Sequence, residues 1–291
     1  MALDGDDNDW AQGFHGNDTI DLGAGNDRVR GNNGNDTIYG GDGADRLYGD
    51  NDNDVIYGGA HYDQIYGGNR DDVLHCGSGA DRLFGGSGNN TIYGDADYDQ
   101  IDGGNDQDSL YGGAGDDNII GRNGNDVMHG DDGNDNLNGG NDDDILFGGN
   151  GEDSLRGGEG NDTLYGGEGD DWTQGFRGDD TIYLDAGNDR ARGNDGEDVI
   201  YGGAGDDRIY GDADNDILGG GSGSDYLHGG SGADTFVFDL GDETTTIADF
   251  NTSEDQIDLS GYLSPQDFGT FAHEDYATQV GNNTVLDFGN G

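Results

Sequence analysis

"GNDTIYGGDGADRLYGD", residues 34–50, places Asp45 nine residues after Asp36. Asp54 and Asp63 follow at the same interval. Followed in both directions, the nonapeptide G-G-x-G-x-D-x-U-x, with U a large apolar residue, runs from Asp4 to Val237. It makes 26 consecutive copies without insertion or deletion, the signature of a repeat architecture. The sixth position is Asp in 25 copies, with Asn90 the single substitute. The eighth is Ile, Leu, Val, Met or Phe in 23, the exceptions being Ala11, Thr173 and Ala191. The first is Gly in 22; Asp4, Leu22, Cys76 and Leu184 depart. A longer repeat lies on top. "DWAQGFHGNDTIDLGAGNDRVRGNNGNDTIYGG" (9–41) recurs as "DWTQGFRGDDTIYLDAGNDRARGNDGEDVIYGG" (171–203), identical at 24 of 33 positions and offset by a whole number of nonapeptides.

The chain has 64 acidic and 11 basic residues, no Lys, and a net charge of −53. Composition alone predicts disorder, because so little apolar surface cannot offset chain entropy against self-repulsion. Strict periodicity predicts order. Something outside the chain must therefore cancel the charge. Of the acidic residues 57 are Asp and seven Glu, a bias that solubility does not explain and a short carboxylate on a tight turn does. The acidity argues against nucleic acid and anionic lipid as partners, since both need Lys and Arg. Cys76 is alone, so no internal disulfide framework exists. No stretch is long and apolar enough to span a membrane as a helix. "MALDGDD" carries no apolar signal region. The chain enters the repeat at once and stops at "VLDFGNG", so a longer parent protein is expected.

Each copy divides into a turn and a strand. Positions 1 to 6 are rich in Gly, Asn and Asp, which suits turns with positive φ. Positions 7 to 9, such as "TIY" or "RLY", suit a short strand, with position 8 facing inward. Two such units make one 18-residue coil, and stacked coils form two parallel sheets over a thin aliphatic core. Each position-8 residue then stacks on its counterpart two copies away, as Ile38 on Ile56.

The acidic turns stack in two rows. One holds Asp18, Asp36, Asp54, Asp72, Asp108, Asp126, Asp144, Asp162, Asp180, Asp198, Asp216 and Asp234. The other holds Asp9, Asp27, Asp45, Asp63, Asp81, Asp99, Asp117, Asp135, Asp153, Asp171, Asp189, Asp207 and Asp225. Carboxylates one strand spacing apart repel, and a hard divalent cation between successive turns removes the repulsion. Ca²⁺ takes six to eight oxygens, backbone carbonyls among them, whereas Mg²⁺ demands tight octahedral geometry. Zn²⁺ would want His or Cys at ligand spacing, which the six His do not show. One ion per gap gives about 24 Ca²⁺, whose charge of about +48 nearly cancels −53.

Copies such as "GGDGADRLY" (40–48) and "GGEGNDTLY" (157–165) resemble the RTX (repeats-in-toxin) calcium-binding nonapeptide family over about four fifths of the chain. The resemblance implies a parallel β-roll with Ca²⁺ held between turns by the position-6 Asp and turn carbonyls. It also implies export from a Gram-negative bacterium by type I secretion machinery, folding on external calcium, and a secreted or cell-surface location. The expected fold is therefore all-β: a right-handed parallel β-roll (β-solenoid) of about thirteen 18-residue coils over 1–237, with a C-terminal β-rich capping segment over 238–291.

Departures from the pattern mark expected weak points. Position 4 is Asp7, Asp52, His61, Arg70, Asp97, Asp106, Asp142 or Asp214 in eight copies, and Arg70 and His61 are the least suited to positive φ. Asn90 loses a charge between Asp72 and Asp108, which predicts weak sites on either side. Beyond Val237 the period breaks into alternating strands. Ser264-Pro265 reads as a helix start, and Phe236, Phe238, Ile247, Phe250, Ile257, Leu259, Phe268 and Phe271 read as the core of a plug over the solenoid end. The segment is similar to the one that follows RTX repeats in serralysin-type proteases.

The two sheets differ. One carries Thr, Val and Ile at position 7 and an aromatic ladder at position 9: Tyr39, Tyr57, Tyr93, Tyr111, Phe147, Tyr165, Tyr183 and Tyr201, with His75 and His129 between. Such residues favour exposed strands and stack on themselves, but a flat ladder is also a candidate contact face for a second copy, a polysaccharide or ice. The other sheet carries Arg28, Arg30, Arg46, Arg82, Arg156, Arg190, Arg192 and Arg208, read as charge balance, with an acidic polymer as the alternative. No catalytic constellation is present: Gly-x-Ser-x-Gly is absent, and His273-Glu274 lacks a second His because position 277 is Ala. Three functions compete. They are a calcium-binding module with no enzymatic activity, an adhesin or binding module using the Thr/Val/Tyr face, and the non-catalytic C-terminal part of a larger RTX enzyme or toxin.

Overall fold

A computed structural model describes residues 2–5, 7–238, 244–259, 277–280 and 283–287. The chain divides into two compact units, Met1–Asn150 and Gly151–Gly291. In the first, one parallel sheet begins with Ala2–Gly5, Thr19–Ala24 and Thr37–Asp42 and continues to Ile145–Asn150. The other begins with Trp10–His15, Arg28–Asn33 and Arg46–Asn51 and continues to Asn136–Asn141. Strands alternate between the sheets along the chain, so each pair closes one coil of a parallel β-solenoid. Neighbours in a sheet come from copies two apart and lie in register, as Ile38 opposite Ile56 and Gly41 opposite Gly59.

The second unit repeats this plan from Ser154–Glu159 and Thr163–Glu168 onward. Its coils outlast the nonapeptides by one strand in each sheet: Thr235–Val237 pairs in parallel with Gln256–Asp258, and Tyr226–Ser231 with Thr244–Ile247. There the parallel order ends. Asn283–Asp287 pairs antiparallel with Thr244–Ile247, and Ala277–Val280 antiparallel with Asn283–Asp287. This pair occupies the ladder edge that Thr244–Ile247 would otherwise leave open. Phe236, Phe238 and Ile247 are buried here. Phe250, Ile257 and Leu259 are half-buried. Ser264, Pro265, Phe268, Phe271 and His273 lie outside the described residues.

The three-residue strands expected from the sequence are too short. Nearly every strand has six residues, running from position 7 through position 3 of the next copy, and only positions 4 to 6 turn. The two glycines that read as turn formers are strand residues. Positions 8 and 1 both face inward, with positions 7, 9 and 2 outward. The apolar column of the core is position 8, from Ile20 and Val29 to Ile209, Leu218 and Leu227, all essentially buried.

The glycines have two separate causes. Position 1 has ordinary φ and is Gly for space. A Cβ on Gly112 would stand 2.5 Å from Asp117 Oδ2 and 2.8 Å from the Gly130 carbonyl oxygen. Positions 2 and 4 are Gly for conformation, as Gly41 (φ 109°) and Gly43 (φ 136°) show. Non-glycine residues at these positions keep the positive φ, and all but Phe14, His61, Arg70, Arg122 and Phe176 are Asn or Asp. His61 (φ 78°) and Arg70 (φ 81°) are thus left-handed, as expected.

One coil is irregular. The strand Thr91–Tyr93 stops after three residues, and Ala96 makes isolated bridges to Ser78 and Ala114 instead of continuing the strand. Position 1 of the preceding coil in that sheet is Cys76. Its Sγ donates to the Gly94 carbonyl, which also accepts from the Ala96 N–H. Since each core residue is packed by the coils on both sides, Leu110→Ala is expected to destabilise the calcium-loaded protein by about 2–5 kcal/mol. Equilibrium urea unfolding at fixed calcium measures it.

Candidate metal centre

Each turn presents its position-6 carboxylate inward, and these side chains are 0–3 % exposed from Asp27 to Asp234. The two carboxylate oxygens do different things. Oδ1 accepts a hydrogen bond from the backbone N–H of the equivalent residue one coil earlier. In one row of the first unit the Asp36 N–H donates to Asp54 Oδ1 and the Asp54 N–H to Asp72 Oδ1, each at 2.8 Å. In the other row the Asp45 N–H donates to Asp63 Oδ1 at 2.8 Å and the Asp81 N–H to Asp99 Oδ1 at 2.8 Å. The second unit is the same, as with Asp180 to Asp198 at 2.8 Å. The chain thus locks each coil to the next through its acid groups.

Oδ2 is the orphan. It is buried without a hydrogen-bond partner in Asp18, Asp36, Asp54, Asp72, Asp108 and most of their counterparts in both rows and both units. It faces the bare Cα of position 1 and the position-1 carbonyl oxygen of the following coil. Beside Gly58 these are Asp63 Oδ2 and the Cys76 carbonyl; beside Gly67, Asp72 Oδ2 and the Gly85 carbonyl. The glycine leaves a cradle walled by oxygen, which a methyl group would fill. A hard cation that accepts carboxylate and carbonyl oxygens together fits this donor set, and Ca²⁺ is such a cation.

Electrostatics demand a counter-charge there. A buried carboxylate without compensation is costly enough that it takes up a proton instead. Burial, opposed by the ladder hydrogen bond and reinforced by the neighbouring Asp, pushes Asp45 up to about 6, Asp54 to about 7 and Asp63 to about 8. In the second unit it pushes Asp171 up to about 7 and Asp216 to about 8. The metal-free fold therefore binds more protons than the unfolded chain between about pH 4 and these values.

Asn90 keeps the ladder but reverses the cradle. The Asp72 N–H donates to Asn90 Oδ1 at 3.0 Å, and the Asn90 N–H to Asp108 Oδ1 at 2.7 Å. Its Nδ2 occupies the orphan-oxygen position and donates to the Gly88 carbonyl at 2.9 Å. A donor stands where the other coils offer an acceptor. Cys76 makes a second exception, missed in the sequence although a thiol at position 1 was visible. With Asp81 and Asp99 it forms a buried group whose ligand atoms lie within 4.8 Å of one another. Burial and the two acids push its thiol far up; its one proton points to the Gly94 carbonyl at 2.5 Å, with Asp99 Oδ2 further off at 3.6 Å.

The aromatic ladder stacks face to face. In the first unit Tyr39, Tyr57, His75, Tyr93, Tyr111, His129 and Phe147 follow at 4.5–5.0 Å between centroids, tilted by at most 9°. In the second, Tyr165, Tyr183 and Tyr201 follow at 5.2 and 5.8 Å. Interior rings of the ladder cover one another's faces, so each presents mainly an edge; Tyr39 and Tyr57 are the most exposed. The opposite sheet has its own stack, Tyr48, Tyr66 and Phe84.

The pH dependence of the metal-free protein follows from the raised carboxyls. With pKa values raised on folding, stability is fully present below about pH 4 and lost as pH rises through about 6 to 8. In excess chelator, far-UV circular dichroism is expected to show more β-structure at pH 5 than at pH 8.

No curated protein sequence matches the chain. The family model described as "RTX calcium-binding nonapeptide repeat (4 copies)" matches in segments that run without a gap from 2–29 through 66–101 and 138–173 to 210–242. With this match across the solenoid, and an oxygen cradle beside the acid of turn after turn, the chain belongs to the RTX calcium-binding nonapeptide repeat family and is a calcium-binding module.

Proposed function

We propose that calcium is the folding switch of this module, held in both rows by the position-6 Asp residues and the carbonyl oxygens of adjoining turns. The orphaned, buried Oδ2 atoms carry this reading. Bound calcium supplies the positive charge that lets these acids stay ionised inside the protein. The chain's own residues do the rest: Oδ1 ties coil to coil, Gly at position 1 keeps the cradle open, and position 8 supplies the apolar column. Without the ion the rows must bind protons or unfold.

Such a chain stays extended where calcium is scarce and folds where it is abundant, at about 10⁻⁴–10⁻³ M for extracellular modules. That property suits export through type I secretion machinery from a Gram-negative bacterium, with folding outside the cell. The proposed role is a secreted or surface-located module without catalysis of its own. The edge-on stacking of the Tyr ladder favours a structural role for that face over an adhesive one.

Titration with calcium at pH 7.5 is the test. Far-UV circular dichroism should pass from disordered to β-rich as calcium rises, and return on adding chelator. A spectrum equally β-rich in chelator and in calcium would remove the proposal. Asn90→Asp separates the cradle from general acidity. It should tighten the calcium response of its coil by about tenfold and lower stability in chelator at pH 8. The pH trend should also invert, because ligands must lose protons to bind: in saturating calcium, thermal midpoints should rise from pH 5 to pH 7.5.

A further inference from the structure

The internal duplication preserves an outward surface over three strands while the position-8 residues of those strands have changed. On three successive strands of the first unit, Trp10, Gln12 and Phe14 lie in register with Arg28, Arg30 and Asn32, and these with Arg46, Tyr48 and Asp50. In the second unit Trp172, Gln174 and Phe176 align with Arg190, Arg192 and Asn194, and these with Arg208, Tyr210 and Asp212. All nine outward residues are identical between the copies. Of the inward residues beneath them, the position-1 glycines are kept, whereas at position 8 Ala11, Val29 and Leu47 stand where the second copy has Thr173, Ala191 and Ile209. A surface maintained only for packing would show the reverse.

Both copies keep the same internal geometry. Arg30 lies over the Tyr48 ring at 4.9 Å and pairs with Asp50 at 3.4 Å. Arg192 lies over the Tyr210 ring at 5.0 Å and pairs with Asp212 at 3.5 Å. Tyr and Asp thus position a guanidinium on a side chain that stays 41 % exposed in Arg30 and 47 % in Arg192.

Both copies also keep two features that lower stability. Phe14 (φ 76°) and Phe176 (φ 82°) occupy the left-handed region at position 2, where Gly, Asn or Asp serves most other coils. A bulky residue there is a true outlier, and each costs about 1–3 kcal/mol. Arg28 stands directly beside Arg46, and Arg190 beside Arg208, although like charges in direct register repel. Six of the chain's eleven basic residues lie in these two arrays. The aromatic rings are open, with Trp10 62 % and Phe14 61 % exposed, Trp172 40 % and Phe176 37 %. In the first unit a cavity of about 360 Å³ is lined by Phe14, Arg30, Asn32 and Asp50 together with His15 and three Asn outside the array; Trp10 and Arg28 do not border it.

An anion would relieve the Arg pairs, and a ring with an apolar face would cover the Trp and Phe. Flanking amides and Asp50 or Asp212 match hydroxyl groups. We propose that the two arrays are equivalent binding sites for an anionic oligosaccharide of carboxylated sugars. Duplex DNA fits less well, since a charge per about 1.7 Å of axis needs an extended run of cations and each array holds three Arg.

The only two Trp residues of the chain are Trp10 and Trp172, so intrinsic Trp fluorescence reports on these sites alone. Calcium-loaded protein is titrated with hexagalacturonate at fixed free calcium. A saturable blue shift is expected, and none with neutral maltohexaose. Arg28→Gln with Arg190→Gln should weaken binding about tenfold, the loss of one ionic contact per site. Phe14→Gly with Phe176→Gly should also weaken it, yet raise the thermal midpoint, which misfolding could not do. Absence of a shift in protein with the full β-spectrum overturns the proposal. So does equal binding of maltohexaose or of a short DNA duplex, or unchanged affinity in both double variants.

Discussion

Everything in this fold depends on what a carboxylate does when stacked on another one strand away and cut off from water. One oxygen finds a backbone N–H in the adjoining coil and becomes part of the ladder. The other finds nothing. The same residue that joins the coils therefore also loads them with uncompensated charge, and calcium is what the family brings to that charge. On the proposed function, stability and ion binding meet in the two oxygens of a single side chain. This suits Asp over Glu at position 6, because the acid already lies against the position-1 Cα and an added methylene has no room there.

Around that constraint the remaining positions sort by what they can tolerate. Position 1 is mostly Gly because the acid lies against it, with Leu22, Cys76 and Leu184 as buried exceptions, positions 2 and 4 must accept positive φ, and position 8 must fill the thin core. Outward side chains at positions 7, 9 and 2 are free of the packing demand, so what appears there is informative. The Tyr, His and Phe of one sheet use their freedom to stack on themselves. The Trp, Phe and Arg of the duplicated arrays do not: they hold unfavourable conformations and like-charge neighbours in both units, above position-8 residues that differ.

Irregularities obey the same logic. Cys76 donates to the Gly94 carbonyl, and the strand that follows in its sheet stops at Tyr93, whereas the strands after Leu22 and Leu184 run their full length. Asn90 has the right shape for the ladder but the wrong polarity for the cradle. At the end of the solenoid the parallel order cannot continue without another repeat, and two antiparallel strands take over the edge.

Much of this was legible in the amino-acid order. A strict period of nine, an apolar eighth position and an acidic sixth determine a two-strand coil, its register, the two acid rows and the need for a cation, because periodicity and charge are properties of the chain itself. Strand length was not legible: glycines at positions 1 and 2 look alike in sequence, and only the approach of the acid to one, and the positive φ of the other, tells space from conformation. Nor was the division of labour between the carboxylate oxygens, nor the seating of Arg30 and Arg192 over the Tyr48 and Tyr210 rings. Those depend on distances between coils, and the distance between coils is set by the tertiary ladder.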